Sequence, residues 1–170
     1  MTEREKKLSH SRLCEVLNYD SETGIFRWAT RTSNRIKVGD VAGMLNNWGH
    51  RIIYIDGSQY MAHRLAWLYV HERWPEDEID HKNLAKDDNR IDNLREATSS
   101  QNKMNRRVRS NSTHGLKGVV RHFKGADRFQ ARITVDGQII HLGLFDSAEA
   151  AHEAYADASK KYHGQFRRVA

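Results

Sequence analysis

The stretch that decides the fold runs from residue 80 to residue 102 and reads DHKNLAKDDNRIDNLREATSSQN. It begins with an Asp-His pair, continues as a polar loop and ends in a segment rich in helix-forming residues. We predict a short strand over residues 79–81 and an exposed helix over residues 94–107. A strand, a loop and a helix in this order would bring the Asp-His pair, Asn93 and Asn102 towards one point.

These residue types suit the hydrolysis of a phosphodiester bond. A hard cation takes oxygen ligands, which Asp80 and Asn102 offer. A general base, most often a histidine, activates water, and His81 lies on the opposite side of the predicted strand from Asp80. Asn93 is placed to brace the loop that follows His81. Each residue taken singly also has an ordinary role in a turn or on a solvated helix, so the joint pattern carries the hypothesis.

The pattern Asp80-His81, Asn93 and Asn102 resembles the HNH nucleases of the phage homing-endonuclease type. Residues 63–67 (HRLAW) and 93–98 (NLREAT) are also similar to that family, and the resemblance covers about residues 15–107. It implies a ββα-metal fold with His81 as the general base and Asn93 orienting the catalytic loop. It also implies that Asp80 and Asn102 hold one divalent ion, Mg²⁺, for which Mn²⁺ is a substitute.

Zinc-stabilised members of that family carry four cysteines. This chain has only Cys14, which also excludes an internal disulfide, and no zinc is therefore expected. His63 and Arg64 are candidates for contact with the scissile phosphate. The alternative is a structural histidine at a strand-to-helix junction beside a solvated arginine.

A second pattern begins at residue 114. Strands are expected over residues 118–122, 129–135 and 139–144, with a tight turn at Asp136-Gly137. A helix follows, for which we predict Asp146 as the cap and an apolar stripe of five residues: Ala151, Ala154, Tyr155, Ala158 and Tyr162. Residues 114–170 therefore form a complete unit of three strands and a helix.

This unit resembles the plant ethylene-response-factor type of DNA-binding domain, through residues 115–119 (GLKGV), 129–133 (FQARI) and 142–145 (LGLF). The resemblance implies that the sheet enters the major groove with the helix packed behind it. The residues it places at the DNA-contacting face are Lys117, His122, Lys124, Arg132, Thr134 and His141. Several arginines of the family are replaced here, by Val120, His122 and Ile139, so the plant target sequence is not carried over.

The charge is concentrated on one segment. The net charge is +6, and residues 103–124 contain seven basic side chains and no acidic one: Lys103, Arg106, Arg107, Arg109, Lys117, Arg121 and Lys124. Residues 76–92 hold seven acidic side chains against three basic ones. We expect Arg106, Arg107 and Arg109 to contact DNA phosphates. The alternative is two solvated faces of opposite sign.

Length and composition exclude several classes of protein. A chain of 170 residues allows one medium domain or two small ones. The sequence has no apolar run long enough for a membrane helix and no signal peptide, so we expect a cytoplasmic protein of a bacterium or a phage-infected cell. The aromatic surface expected of a binder of single-stranded RNA is missing. We expect a monomer, with a dimer as the alternative.

The sequence thus predicts an α+β protein. A ββα-metal nuclease domain, preceded by a small β-rich region, spans residues 1–107 with its motif core at 63–105. A linker follows over 108–113, and a three-stranded antiparallel sheet with a helix occupies 114–170. The predicted function is metal-dependent cleavage of double-stranded DNA. The alternative is a non-catalytic DNA-binding regulator with a degenerate nuclease half.

Overall fold

A computed structural model describes residues 3–108, 114–122 and 128–168. By its internal contacts the chain divides into two compact units, Met1–Thr98 and Ser99–Ala170. Both are mixtures of helix and small antiparallel sheets, as the α+β prediction requires. The division lies before the boundary expected at residue 107, and the extents of the two domains stay a prediction.

The first unit contains three small antiparallel sheets. Helix α1 (His10–Val16) leads directly into the hairpin β1 (Leu17–Asp20) and β2 (Ile25–Trp28). Strands β3 (Met44–Leu45), β4 (Arg51–Ile55) and β5 (Ser58–Met61) form the second sheet, and helix α2 (Ala62–His71) follows it. Strands β6 (Glu78–His81) and β7 (Leu94–Ala97) form the third sheet.

Local sequence explains several of these elements. Ser9 begins α1, because its hydroxyl accepts a hydrogen bond from the Arg12 amide at 3.1 Å. Asp56 and Gly57 connect β4 to β5 with φ angles of 48° and 75°. Two consecutive positive φ angles define the tight turn that matches the twist of a hairpin, and Asp-Gly is a favoured pair for it.

The core of the first unit joins all three sheets to the two helices. Leu13 of α1, Phe26 of β2, Ile53 of β4 and Leu65 of α2 are completely buried in it. Ile79 of β6 and Leu94 of β7 belong to the same cluster. Burial of a large apolar side chain contributes about 1.5–3 kcal/mol. These two residues therefore anchor the strands that carry the candidate site.

The helix predicted over residues 94–107 is wrong in its first part. Residues Leu94–Ala97 form strand β7, which pairs with β6, and only Ser99–Met104 form a helix, α3. Leu, Arg, Glu and Ala all favour helix in isolation, but pairing with β6 and burial of Leu94 outweigh that preference. Along the chain the order is still strand, strand and helix.

The second unit contains the predicted three strands and helix. Strands β8 (Val119–His122), β9 (Arg128–Val135) and β10 (Gln138–Phe145) form an antiparallel sheet in the order β10-β9-β8, and helix α4 (Ala148–His163) packs on it. Gly118, with φ at 78°, lies so close to the Tyr155 ring of α4 that an added Cβ would come within 2.1 Å of it. Only glycine fits this position.

Two details of α4 differ from the prediction. Ser147, not Asp146, caps the helix, since its hydroxyl accepts from the Ala150 amide at 3.1 Å. The buried stripe consists of Ala148, Ala151, Tyr155, Ser159 and His163. Tyr162 is 39% exposed, so at the C-terminal end of the helix the buried residue is His163 and not the predicted Tyr162.

None of the helices in the described part of the chain has the length and apolar character needed to cross a membrane.

Candidate active site

Asp80 and His81 end the buried strand β6. Asp80 pairs across the sheet with Arg95 and His81 with Leu94. Their side chains are 3% and 5% exposed. Because successive side chains of a strand point to opposite faces, the carboxylate and the imidazole face different surroundings.

Asn93 ties both ends of the loop that follows His81. Its amide nitrogen donates to the Asp88 carbonyl at 2.8 Å, and its amide oxygen accepts from the Asn83 backbone at 3.1 Å. Its carbonyl accepts from the Lys82 amide at 2.9 Å. Asn93 is 7% exposed. These contacts connect the two ends of the loop through one buried residue.

Asn89 is a hydrogen-bond partner of the His81 ring. Its amide oxygen lies 3.3 Å from His81 Nε2, and its amide nitrogen donates to the Asp87 carbonyl at 3.2 Å. The second bond turns the oxygen towards His81, so Nε2 donates and the lone pair of the neutral ring lies on Nδ1. The burial of Asn89, which is 1% exposed, could not be predicted from the sequence, because an asparagine in a polar loop is usually exposed.

The β1–β2 hairpin supports the loop at Asn89. The Tyr19 hydroxyl donates to the Asn89 carbonyl at 2.7 Å. Gly24, in the turn of the hairpin, has φ at 71°, and a Cβ built there would lie 2.4 Å from the Arg90 nitrogen. The backbones are therefore in contact at this point.

Three histidines from distant parts of the sequence meet at His81. The ring centroids of His63 and His81 are 5.1 Å apart, and His50 lies 5.3 Å from His63 and 5.8 Å from His81. Burial lowers the pKa of His63 well below its ordinary value and lowers the pKa values of His50 and His81 as well; for His50 and His63 the neighbouring His81 adds to the effect. From the sequence, His63 was predicted either to contact the phosphate or to be a structural histidine, and His50 was given no role. No local signal connects residues 50, 63 and 81.

Asp80 forms a buried ion pair. Arg95 donates from Nε and from one terminal nitrogen to the same carboxylate oxygen, Oδ2, at 2.8 and 2.7 Å. A cation bound by that oxygen would compete with the guanidinium. Asn102, the other predicted metal ligand, lies on α3 in the second unit.

Arg64 is engaged within the protein. Its side chain forms an ion pair with Glu5 and donates to the backbone carbonyls of Asp77 and Pro75. A phosphate contact by Arg64 would have to replace some of these bonds. His63, at 8% exposure, lies in the histidine cluster described above.

The sheet of the second unit presents some of the predicted DNA contacts to solvent. Arg132 and Thr134 of β9 are exposed and alternate with the buried Ala131 and Ile133. His141 of β10 is exposed, pairs with Arg132 across the sheet and lies 2.8 Å from the Gln130 side chain. Arg132, Thr134 and His141 therefore share the face away from α4.

The other predicted DNA contacts differ in their surroundings. Arg106 and Arg107 are exposed. Lys117 donates to the Met104 and Arg106 carbonyls at 2.6 and 2.9 Å, and burial, aided by the charge of Arg168, lowers its pKa to about 8. Arg109, Lys124 and the side chain of His122 lie outside the described residues.

The site residues fall in a segment that is similar to known nucleases. Residues 60–104 match the family model of HNH endonucleases. The segment includes His63, Asp80, His81, Asn93 and Asn102, and it indicates a nuclease that acts on DNA. HNH nucleases generally use a divalent metal ion, and the structure has a histidine-rich group able to hold one. No curated protein matches the chain.

Proposed function

We propose that this chain is a metal-dependent endonuclease of the HNH homing type that hydrolyses phosphodiester bonds in double-stranded DNA. The observation that carries the proposal is the environment of His81. Its imidazole is buried, its pKa is lowered, and Asn89 fixes its ring at the end of a braced strand. A neutral, oriented imidazole can take a proton from water at neutral pH.

The roles of the neighbouring residues follow from their contacts. His81 is the general base, and Asn93 and Asn89 are positioning residues that hold the loop and the ring. Asp80 would hold the divalent ion, with Asn102 as the second ligand that the sequence predicts. The ion, Mg²⁺ with Mn²⁺ as a substitute, would neutralise charge that develops on the scissile phosphate.

The fit of Asp80 to a magnesium ion depends on Arg95. One Asp80 oxygen accepts both hydrogen bonds from Arg95, so a cation at that oxygen would compete with the guanidinium. The pair orients the Asp80 carboxylate in a buried place. The ion pair is therefore compatible with Asp80 as a metal ligand, whose charge Arg95 partly balances before the metal binds.

We further propose that the second unit binds the major groove through its exposed sheet face, as ethylene-response-factor domains do. Support comes from Arg132, Thr134 and His141, which face solvent together on β9 and β10. Arg106 and Arg107 are proposed to contact phosphates. The same arrangement gives the nuclease a second point of contact with its substrate.

The catalytic proposal is tested by cleavage of supercoiled plasmid with and without Mg²⁺. His81→Ala should cleave about 10² to 10⁴-fold more slowly than the parent, since that is the usual contribution of a positioned base. His71→Ala is the matched control, because His71 ends α2 and is exposed. If His81→Ala keeps parent-like rates, the base is another residue. If the parent binds duplex DNA but never cleaves it, the chain is the non-catalytic regulator that the sequence left as the alternative.

The recognition proposal is tested by binding titrations of the full chain at several salt concentrations. Arg132→Ala should reduce discrimination between selected and random duplexes by about 1–3 kcal/mol if it contacts a base. Arg106→Ala should weaken both duplexes alike and reduce the salt dependence. Lys161→Ala, at an exposed position of α4, is the control. Unchanged selectivity in Arg132→Ala would exclude this residue as a base contact.

A further inference from the structure

The His50, His63 and His81 side chains form a cluster that the proposed function uses only in part. His50 immediately precedes β4, His63 lies in the first turn of α2, and His81 ends β6. One ring nitrogen of each lies within 4.8 Å of the corresponding nitrogens of the other two. Zinc–nitrogen bonds of about 2.0–2.1 Å imply nitrogen separations of about 3.3 Å in a tetrahedral site, so small rotations of the rings would suffice.

Two of these rings carry unsatisfied nitrogens. The Nδ1 atoms of His50 and His63 are buried, and neither has a hydrogen-bond partner among the residues that the structure describes. A buried polar atom without a partner destabilises the fold by about 1–3 kcal/mol, so its presence in a native structure requires an explanation. A bound cation would satisfy both atoms at once.

Two of the three rings have a partner at the second ring nitrogen, as histidines in known metal sites do. The His50 ring hydrogen-bonds to the backbone of Lys86, and Asn89 accepts from His81 Nε2. Metal-binding histidines usually donate their second ring nitrogen to a carbonyl or carboxylate, which fixes the tautomer and directs the other nitrogen at the ion.

We propose that His50, His63 and His81 together bind one divalent transition-metal ion, with Zn²⁺ as the natural occupant. Three imidazoles suit zinc, nickel, cobalt or copper, whereas magnesium requires oxygen ligands. This site differs from the four-cysteine zinc site that the sequence excludes. It is also distinct in chemistry from the oxygen site proposed at Asp80.

The site has a consequence that rests on the proposed function. A zinc ion bound by His81 uses the lone pair that would otherwise accept the proton from water. Zinc should therefore inhibit the magnesium-dependent cleavage. A chain that is able to bind both metals would cleave DNA only while no zinc ion occupies the histidine site.

Binding is tested without reference to activity. The metal-free full chain is titrated with Co²⁺, whose visible absorption bands report histidine ligation, and with Zn²⁺ in competition. We expect one equivalent to bind the parent and the His71→Ala control, and the affinity of His50→Ala to fall at least about tenfold. A parent that shows no such bands, or a His50→Ala variant with the affinity of the parent, would overturn the site.

A second measurement covers the case in which His50→Ala fails to fold. Nitrogen-15 spectra of the histidine rings of the parent should show three rings that change on addition of one equivalent of Zn²⁺. Changes confined to other histidines, such as His10 or His71, would overturn the proposal.

The cleavage assay separates this inference from the proposed function. Zinc should slow the parent at least tenfold and should slow His50→Ala much less, each compared with its own zinc-free rate. A parent that never cleaves with Mg²⁺ contradicts the proposed function, and the cobalt titration still decides the metal site. Equal inhibition of the parent and His50→Ala contradicts the role of His50.

Discussion

Replacing Gly24 with alanine tests whether the β1–β2 hairpin supports the loop beside His81. Gly24 has φ at 71°, a conformation that disfavours an L-residue by about 1–2 kcal/mol. The added Cβ would also lie 2.4 Å from the Arg90 nitrogen and 2.5 Å from the Asn89 carbonyl carbon. Both are backbone atoms and cannot rotate away, so overpacking adds about 1–3 kcal/mol. We expect Gly24→Ala to lower the free energy of unfolding by about 2–5 kcal/mol.

Gly57 provides the matched control for this substitution. It also lies in a hairpin turn, with φ at 75°, but an added Cβ there meets nothing within 4 Å. Gly57→Ala should therefore lower the free energy of unfolding by only the conformational term of about 1–2 kcal/mol. The difference between the two variants measures the contact with the loop.

The assay follows from the positions of the tryptophans. All four, at positions 28, 48, 67 and 74, lie in the first unit. Tryptophan fluorescence during urea unfolding thus reports on that unit alone. In the folded state Gly24→Ala should also cleave about 10–100-fold more slowly, because Asn89 positions the His81 ring. If both glycine variants unfold at the same urea concentration and cleave equally well, the hairpin does not support the loop.

Three further predictions concern charged groups. Asp80→Asn should destabilise the first unit by about 3–5 kcal/mol, because the Arg95 side chain, which is only 14% exposed, would lose its carboxylate partner. Asp80→Asn combined with Arg95→Gln should recover part of this loss in urea titrations. In metal-free buffer the free energy of unfolding of the first unit should fall as the pH drops below about 6.5, because His63 binds a proton in the unfolded chain but not in the folded state, where its pKa is lowered. His63→Asn should reduce this pH dependence. An unchanged slope would contradict the assignment to His63. Lys117→Met should destabilise the second unit by about 1–2 kcal/mol and speed amide exchange in α3, whereas Lys161→Met should change neither.

The elements with local signals could be predicted from the sequence. The Asp56-Gly57 and Asp136-Gly137 turns adopt paired positive φ angles, because Asp-Gly tolerates them. The alternation along β9 fixes which side chains face α4, and Arg132 and Thr134 are exposed as expected. Strand β6 was also predicted, over residues 79–81, and is observed over Glu78–His81.

Elements that depend on distant contacts could not be predicted. Strand β7 consists of helix-forming residues and becomes a strand only by pairing with β6. The cluster of His50, His63 and His81 depends on how β4, α2 and β6 pack, which leaves no pattern in the local sequence. The ion pair of Arg95 with Asp80 could not be predicted either, because Arg95 lies opposite Asp80 only when residues 94–97 form a strand.

The loop beside His81 is held not only by Asn93 but also by residues that lie before the HNH match at 60–104. On one side Tyr19 and Gly24 contact Asn89. On the other, Arg51 forms an ion pair with Asp87 at 2.7 Å. A recombination event that moved only the matched segment into another gene would transfer the chemistry without its support. A working enzyme therefore requires that the N-terminal hairpins are transferred together with the motif, or that the recipient protein provides an equivalent surface.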